Sequence, residues 1–250
     1  MAAAVAAVGV DASAVWYRPA VKVEPVRISV REAGSVDFES VAPFRRLRPR
    51  RGQRNFVGDW WLATTKRHVT FESWCERDHL IAFDFDPGIV EIAGQPLQFE
   101  FSTDVGCRRL HIPDCFLRMA DGSAVVVDIK PDELITTRDR VNFAGTAALC
   151  EAAGWGYRRL GELPTVLSAN LRWLAGYRHE RVNDSSVAAH AKQVVERCPG
   201  ISLHGLASEV GEPTLVLPKI FHMLWQQQLI AELSGVKLSR STAIYPGSPT

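Results

Sequence analysis

The chain has 250 residues, 46% hydrophobic and 23% charged, with 29 Lys and Arg against 28 Asp and Glu for a formal net charge of +1. That is enough apolar sequence for one substantial core and a smaller second one, and the near-neutral balance excludes the global basicity of architectural DNA binders, so any nucleic-acid surface must be a local patch. Five scattered cysteines, Cys75, Cys107, Cys115, Cys150 and Cys198, with no C-x-x-C pair, exclude a disulfide framework and a zinc ribbon and fit a reducing cytoplasm.

Residues 1–54 read as an N-terminal arm. Its start is apolar but lacks the basic n-region of a secretory signal, and no apolar run in the chain is long enough to cross a membrane, so a soluble, cytoplasmic protein is expected. The arm ends in Phe44-Arg-Arg-Leu-Arg-Pro-Arg-Arg-Gly-Gln-Arg54. Arg45, Arg46, Arg48, Arg50, Arg51 and Arg54 place six arginines in ten positions, and Pro49 and Gly52 disfavour a helix. Such a strip either grips phosphates or an acidic partner without sequence preference, or is a solvated linker.

Residues 55–180 alternate strand and helix patterns. Ser73 followed by Glu76 reads as a helix start, Leu97-Gln-Phe-Glu-Phe101 alternates with period two, and Arg109 to Leu117 and Ser123 to Lys130 read as two strands of a hairpin. Cys107, His111 and Cys115 recur every four residues, too far apart along a strand to close on one ion. Arg138 to Ala153 has helical composition and stops at Gly154, after which Trp155 to Leu160 returns to strand. This order predicts an α/β domain, a mixed sheet flanked by helices. Leu171, Trp173, Leu174 and Tyr177 follow as an apolar helix face used for packing.

Residues 183–245 read as a small winged-helix-like domain. Asn183-Asp-Ser-Ser is a polar break, Val187 to Arg197 is helical, Ile201 to Gly211 and Pro213 to Gln228 give two further elements joined at Gly211, and Leu229 to Ile244 is β-like. Phe221, Leu224 and Trp225 fall at core spacing. Lys219, His222 and Gln226 to Gln228 are left for solvent or contact, and the shortage of Arg and Lys favours partner docking or weak DNA support over base readout.

The chemistry concentrates in the hairpin. A three-residue loop, Ala120-Asp121-Gly122, with Gly in a left-handed conformation pairs Met119 with Ser123 and, counting back, Asp114 with Asp128. Asp128 and Lys130 share one strand face while Val127 and Ile129 pack on the other. Adjacent carboxylates repel unless a cation lies between them, and a hard oxygen site suits Mg²⁺ or Mn²⁺, while Lys130 can hold or deprotonate an attacking water or stabilise charge on a phosphate. A further acidic ligand should come from Glu72, Glu76 or Asp78. Glu76 is the choice, although Ser-x-x-Glu also recurs as a purely structural capping box.

Ser73-Trp-Cys-Glu76-Arg-Asp78, Phe83-Asp-Phe-Asp86-Pro87, Gln95-Pro96, Pro113-Asp114, Asp128-Ile-Lys130 and Gly154-Trp155 resemble, in order and spacing, the TnsA-like endonuclease subunits of heteromeric transposases. The resemblance covers about residues 55 to 180. It implies a restriction-endonuclease-like nuclease domain that cuts the 5′ ends of a transposon, on double-stranded DNA, beside a separate DDE-type transposase subunit. By position it places the catalytic acid of the helix at Glu76, the metal-binding Asp at Asp114 and the catalytic Lys at Lys130. Asp128 stands where some members carry Gln, and Gln95 reads as a structural hydrogen-bonding residue. The expectation is a Mg²⁺-dependent endonuclease with Glu76, Asp114 and Asp128 as ligands. The alternatives are an autonomous restriction or repair nuclease of the same fold, and a non-catalytic DNA-binding adaptor on the same scaffold.

Overall fold

The computed structural model describes residues 9–45, 56–103 and 106–247, and the chain divides into two compact units, Met1–Glu162 and Leu163–Thr250. Among the described residues no helix is long and apolar enough to cross a membrane.

Unit 1 begins with two short strands, β1 (Ala14–Tyr17) and β2 (Val26–Ser29), and continues through the β3 (Gly58–Trp61) and β4 (His68–Phe71) hairpin into helix α1 (Trp74–Phe85). Strands β5 (Ile89–Gly94), β6 (Leu97–Ser102), β7 (Arg108–His111), β8 (Cys115–Met119) and β9 (Ala124–Ile129) follow, then helix α2 (Thr137–Ala152) and β10 (Gly156–Leu160). They form an antiparallel sheet of order β2-β1-β6-β7 and a mixed sheet of order β10-β9-β8-β5, in which β9 and β10 run parallel through the α2 crossover. The chain is thus an α/β protein whose mixed sheet is flanked by helices.

Strand β9, Ala-Val-Val-Val-Asp-Ile, is buried at every position. Val125, Val127 and Ile129 enter a core with Leu80 and Phe83 of α1, whereas Ala124 and Val126 enter a second core with Phe99, Phe101, Phe116 and Leu149. A strand covered on both faces can be apolar throughout, which is why the run lacks period-two alternation.

The N-terminal segment differs from the expected arm. Val15, Val30 and Phe38 are buried in the second core, and β1 pairs with β6 from Ala14 opposite Glu100 to Tyr17 opposite Leu97. Apolar burial binds this stretch to the domain, and a partner strand more than 80 residues away is not visible in local sequence. Of the arginine run, Arg45 alone lies among the described residues; Arg46, Arg48, Arg50, Arg51 and Arg54 lie outside them.

The expected strand from Arg109 to Leu117 is two strands. β7 pairs with β6 in one sheet and β8 with β9 in the other, and the break falls at Ile112-Pro113-Asp114. Pro113 has no N–H to donate, so the ladder ends there and the chain changes sheets. The predicted turn is present. Gly122 has φ +84°, Met119 donates to the Ser123 carbonyl at 2.9 Å, and Cys115 stands opposite Val127.

Unit 2 contains α3 (Thr165–Ala175), α4 (Ser185–Arg197), β11 (Ile201–Ser202), α5 (Leu203–Val210), α6 (Pro213–Trp225), β12 (Leu229–Ile230) and β13 (Ala243–Pro246), with the strands in a small antiparallel sheet of order β11-β13-β12. Helix α3 therefore belongs to unit 2, although it lies within the limit of 180 expected for the first domain, since the division falls between Glu162 and Leu163. Leu171 and Leu174 are buried as expected, but Trp173 is 54% exposed. Phe221, Leu224 and Trp225 are core. His222 is not a solvent residue: it is buried and Nδ1 lies 2.7 Å from the Tyr177 carbonyl. Lys219 is likewise taken, donating to Asp184 at 2.6 Å. The second half of α6, from Ile220 to Trp225, is buried on all sides, so helical spacing does not separate a core face from a contact face there.

Phe38 is fully buried and packs edge-on against Tyr17 and Trp155. Phe38→Ala is expected to cost about 3–5 kcal/mol in urea denaturation, the penalty of a cavity in a closed core; an effect near zero would return residues 9–45 to the status of an arm.

Candidate functional site

A cleft of about 330 Å³ in unit 1 is lined by Glu72, Ser73 and Glu76 before and within α1, His111 and Asp114 around the sheet switch, Asp128 and Lys130 at the end of β9, and Asp139 and Phe143 of α2. Four sequence candidates, Glu76, Asp114, Asp128 and Lys130, thus share one cavity. Asp78 is not among its lining residues and pairs with Arg77 at 2.9 Å.

Asp114 precedes β8, and its backbone N–H donates to the Val127 carbonyl at 3.0 Å, which extends the hairpin register toward Asp128. Its Oδ2 accepts from the Ile129 N–H at 2.6 Å. Burial, then the charges of Glu76 and Asp128, push the Asp114 carboxyl well above the usual range, and the Ile129 hydrogen bond opposes this only in part. Glu76 is raised too, chiefly by burial.

Glu76 takes part in the helix start and also lines the cleft. Ser73 Oγ accepts from the Glu76 N–H at 3.2 Å as the helix N-cap, and the Glu76 carboxylate accepts from Ser73 Oγ at 2.9 Å and from the Glu72 N–H at 2.8 Å. The same carboxylate lines the cleft and acts on Asp114. Capping fixes where the charge sits.

Asp128 is 2% exposed and held from two sides: Tyr157 Oη donates to Oδ2 and His111 Nε2 to Oδ1, each at 2.8 Å. Burial, then Asp128, raises the Tyr157 hydroxyl far above its ordinary range, so it remains a donor. Lys130 lies just past β9, anchored by its N–H to the Leu160 carbonyl at 2.8 Å, and its Nζ donates to Asp139 Oδ2 at 2.7 Å. Asp139 also closes the α2 capping box with Thr136; against the effect of burial, Lys130 and Thr136 hold its carboxyl down to about 2.

Gln95 behaves as the structural residue expected. It takes φ +48°, donates from its backbone to the Asp114 carbonyl at 2.9 Å and from Nε2 to Glu72 Oε1 at 2.7 Å. Arg45 forms an ion pair with that same Glu72, so the one described member of the arginine run is turned onto an acid of the cleft. His111, Tyr157 and Asp139 were not assigned from sequence. The Thr136-x-x-Asp139 cap was readable in principle; His111 and Tyr157 reach Asp128 only through tertiary pairing.

The electrostatics at the cleft favour thiol over thiolate for Cys75 and Cys115. Cys75 lines the cleft, but burial, then the charge of Glu162, pushes its thiol up to about 11, and burial raises Cys115 as well. Among the described residues no three His, Cys, Asp or Glu side chains are arranged to hold a metal ion, so Glu76, Asp114 and Asp128 do not form the three-ligand group expected from sequence. Compared with known proteins, the chain matches no protein-family model and no curated sequence.

Because Asp114 and Glu76 keep their protons to higher pH in the folded chain than in the unfolded one, the folded state binds more protons above the ordinary carboxylate range, and stability falls as pH rises through that window. Asp114→Asn keeps the acceptor for Ile129 and removes the charge. In metal-free buffer it is expected to melt higher than wild type at about pH 8 and to lose that advantage near about pH 4; a lower melting temperature at the higher pH would show that Asp114 is not a destabilising charge.

Proposed function

We propose that unit 1 is a metal-dependent DNA endonuclease of the restriction-endonuclease-like class, and that the chain is the subunit cutting the 5′ ends of a transposon in a heteromeric transposase. The observation that carries the nuclease reading is the convergence of Glu76, Asp114, Asp128 and Lys130, from α1, the sheet switch and the end of β9, on one cleft. A mixed sheet with flanking helices is the α/β class that this reading requires.

Mg²⁺ or Mn²⁺ fits this donor set. Burial drives Asp114 and Glu76 toward protonation, joined at Asp114 by the charges of Glu76 and Asp128 and at Glu76 by that of Glu72, and a divalent cation would offset that repulsion. Such ions keep several waters and take one or two carboxylates together with substrate phosphate, so a closed protein cage is not required. Asp114 and Glu76 would hold the ion, which when bound would supply positive charge to the phosphoryl oxygens, while Asp128 stays with its two protein partners. Hydrolysis joins a water oxygen to phosphorus and breaks the bond to the leaving strand, whose oxygen takes a proton. Lys130, whose ammonium is held by Asp139, would stabilise the negative charge that accumulates on the phosphate. His111 and Tyr157 fix the Asp128 rotamer and leave each carboxylate oxygen a second lone pair.

Unit 2 is read as a winged-helix-like domain that docks the DDE-type subunit. What supports docking over DNA readout is the face left on α6: Lys219 is spent on Asp184, and Leu215 is 68% exposed. With Arg45 turned onto Glu72, phosphate contact would fall to the rest of the arginine run.

Asp114→Ala and Lys130→Ala are each expected to lower nicking of plasmid DNA with Mg²⁺ by on the order of 10² or more while the far-UV circular dichroism stays native. Glu76→Gln keeps the cap and loses the charge; activity equal to wild type would reduce Glu76 to a structural role, and equal activity in all three would favour the non-catalytic adaptor.

Alone, the chain is expected to bind duplex DNA near the non-specific range of roughly 10⁻⁴ to 10⁻⁶ M and to cut it little. Cleavage of transposon-end DNA with and without the DDE subunit measures the partnership, and efficient site-specific cutting by the isolated chain would make it an autonomous nuclease.

A further inference from the structure

The half-buried arginines of unit 1 differ in what their guanidinium groups meet. Arg77 pairs with Asp78 at 2.9 Å, Arg118 with Glu39 and Arg159 with Asp132, and Arg18 donates to the Val23 carbonyl at 2.6 Å. Arg109, also half-buried, forms no ion pair among the described residues. Its Nε is enclosed without an acceptor, whereas Nη1 and Nη2 are not enclosed. Burying part of a guanidinium without a partner is costly, and a bound anion removes that cost. The forked end of the side chain suits the paired oxygens of a phosphate.

Position says which anion. Strand alternation puts Arg109 and His111 on one face of β7, opposite Phe101 and Phe99 of β6, while Arg108 and Leu110 take the other face. The Arg109 face lies beneath α2. Phe99 and Phe101 share a core with Leu149, a Cβ on Gly145 would come within 2.3 Å of the Phe101 ring, and the His111 ring meets Phe143 edge-on with centroids 6.1 Å apart. His111 and Phe143 both line the cleft, so Arg109 stands about 7 Å along the strand from its wall. The cleft acids nearest His111 already have cations or donors of their own, Asp128 from His111 and Tyr157 and Asp139 from Lys130. We propose that Arg109 binds a backbone phosphate of the DNA strand next to the phosphate that enters the cleft, and so sets the strand's position over Asp114 and Lys130. This rests on the nuclease reading and deepens it, naming a substrate-binding residue that contacts the backbone and reads no base.

The test is fluorescence-anisotropy binding of the full chain to fluorescein-labelled duplex DNA in EDTA, where no strand is cut, across a series of salt concentrations. Arg109→Ala should weaken binding by about fivefold or more at about 0.1 M salt and make the slope of log affinity against log salt shallower by about one, the signature of one lost phosphate contact. Arg109→Lys keeps the charge and should keep the wild-type slope. Lys22→Ala removes a charge from the β1–β2 connection, and β2 and β7 are opposite edges of one sheet, so its affinity and slope should equal wild type. Arg109→Gln retains a stem without the charge, carries the same expectation as alanine, and decides the matter if the alanine variant loses its native circular dichroism. Wild-type affinity and slope in the folded neutral variants, the same loss of slope in Arg109→Lys, or an equal loss in Lys22→Ala would overturn the assignment. Because EDTA removes cleavage from the measurement, Arg109-dependent binding by a chain that never nicks plasmid DNA with Mg²⁺ refutes the nuclease reading alone. A chain that nicks while its binding ignores Arg109 refutes this inference alone.

Discussion

The turn at Gly122 admits one register, Met119 opposite Ser123 and Cys115 opposite Val127, and the rest of the cleft is built on it. Side chains alternate along a strand, so a slip of one residue would carry Phe116 and Val126 out of one core and drive Asp114 and Asp128 into apolar surroundings. Burial of β9 on both faces makes that slip costly from either side. Pro113 then ends the pairing with β6 just where Asp114 must leave the ladder, so its carboxylate meets the Ile129 N–H instead of a strand neighbour.

Holding buried carboxylates this close works against stability, and the surrounding hydrogen bonds offset the conflict without abolishing it. Asp128 receives two donors, Glu76 two and Asp114 the Ile129 N–H, yet Asp114 and Glu76 are still displaced toward their protonated forms. A site arranged for its own stability would not gather these charges, and strain kept at one place by a well-determined scaffold is characteristic of function. Gln95 belongs to the same pattern. It is a non-glycine residue in the left-handed region, maintained by hydrogen bonds to Asp114 and Glu72.

Two anchors set the remaining geometry. The Thr136 and Asp139 cap starts α2 and at the same time holds Lys130, so the crossover helix and the end of β9 are tied by one carboxylate. Ser73 and Glu76 do the same for α1, where the group that terminates the helix is also the group presented to the cavity. In both cases a local helix-capping motif supplies a precise position for a charge, because capping fixes side-chain rotamers that solvent would otherwise leave free.

The sequence by itself determined whatever depends on neighbours in the chain: the Asp-Gly turn and its register, the helix start at Ser73 and Glu76, the stop at Gly154, and hence the facing of Asp114 toward Asp128. Residues a few positions apart constrain one another through backbone geometry and capping, so their arrangement can be read before the fold is known. Tertiary structure decided what depends on distant partners. Pairing of β1 with β6 turned an expected arm into core, and the parallel pairing of β9 with β10 and the return of β7 brought Tyr157 and His111 to Asp128. Burial of the second half of α6 on all sides removed His222 from any contact face. These outcomes rest on which apolar surfaces cover one another, and a local pattern of residues carries no record of its partner.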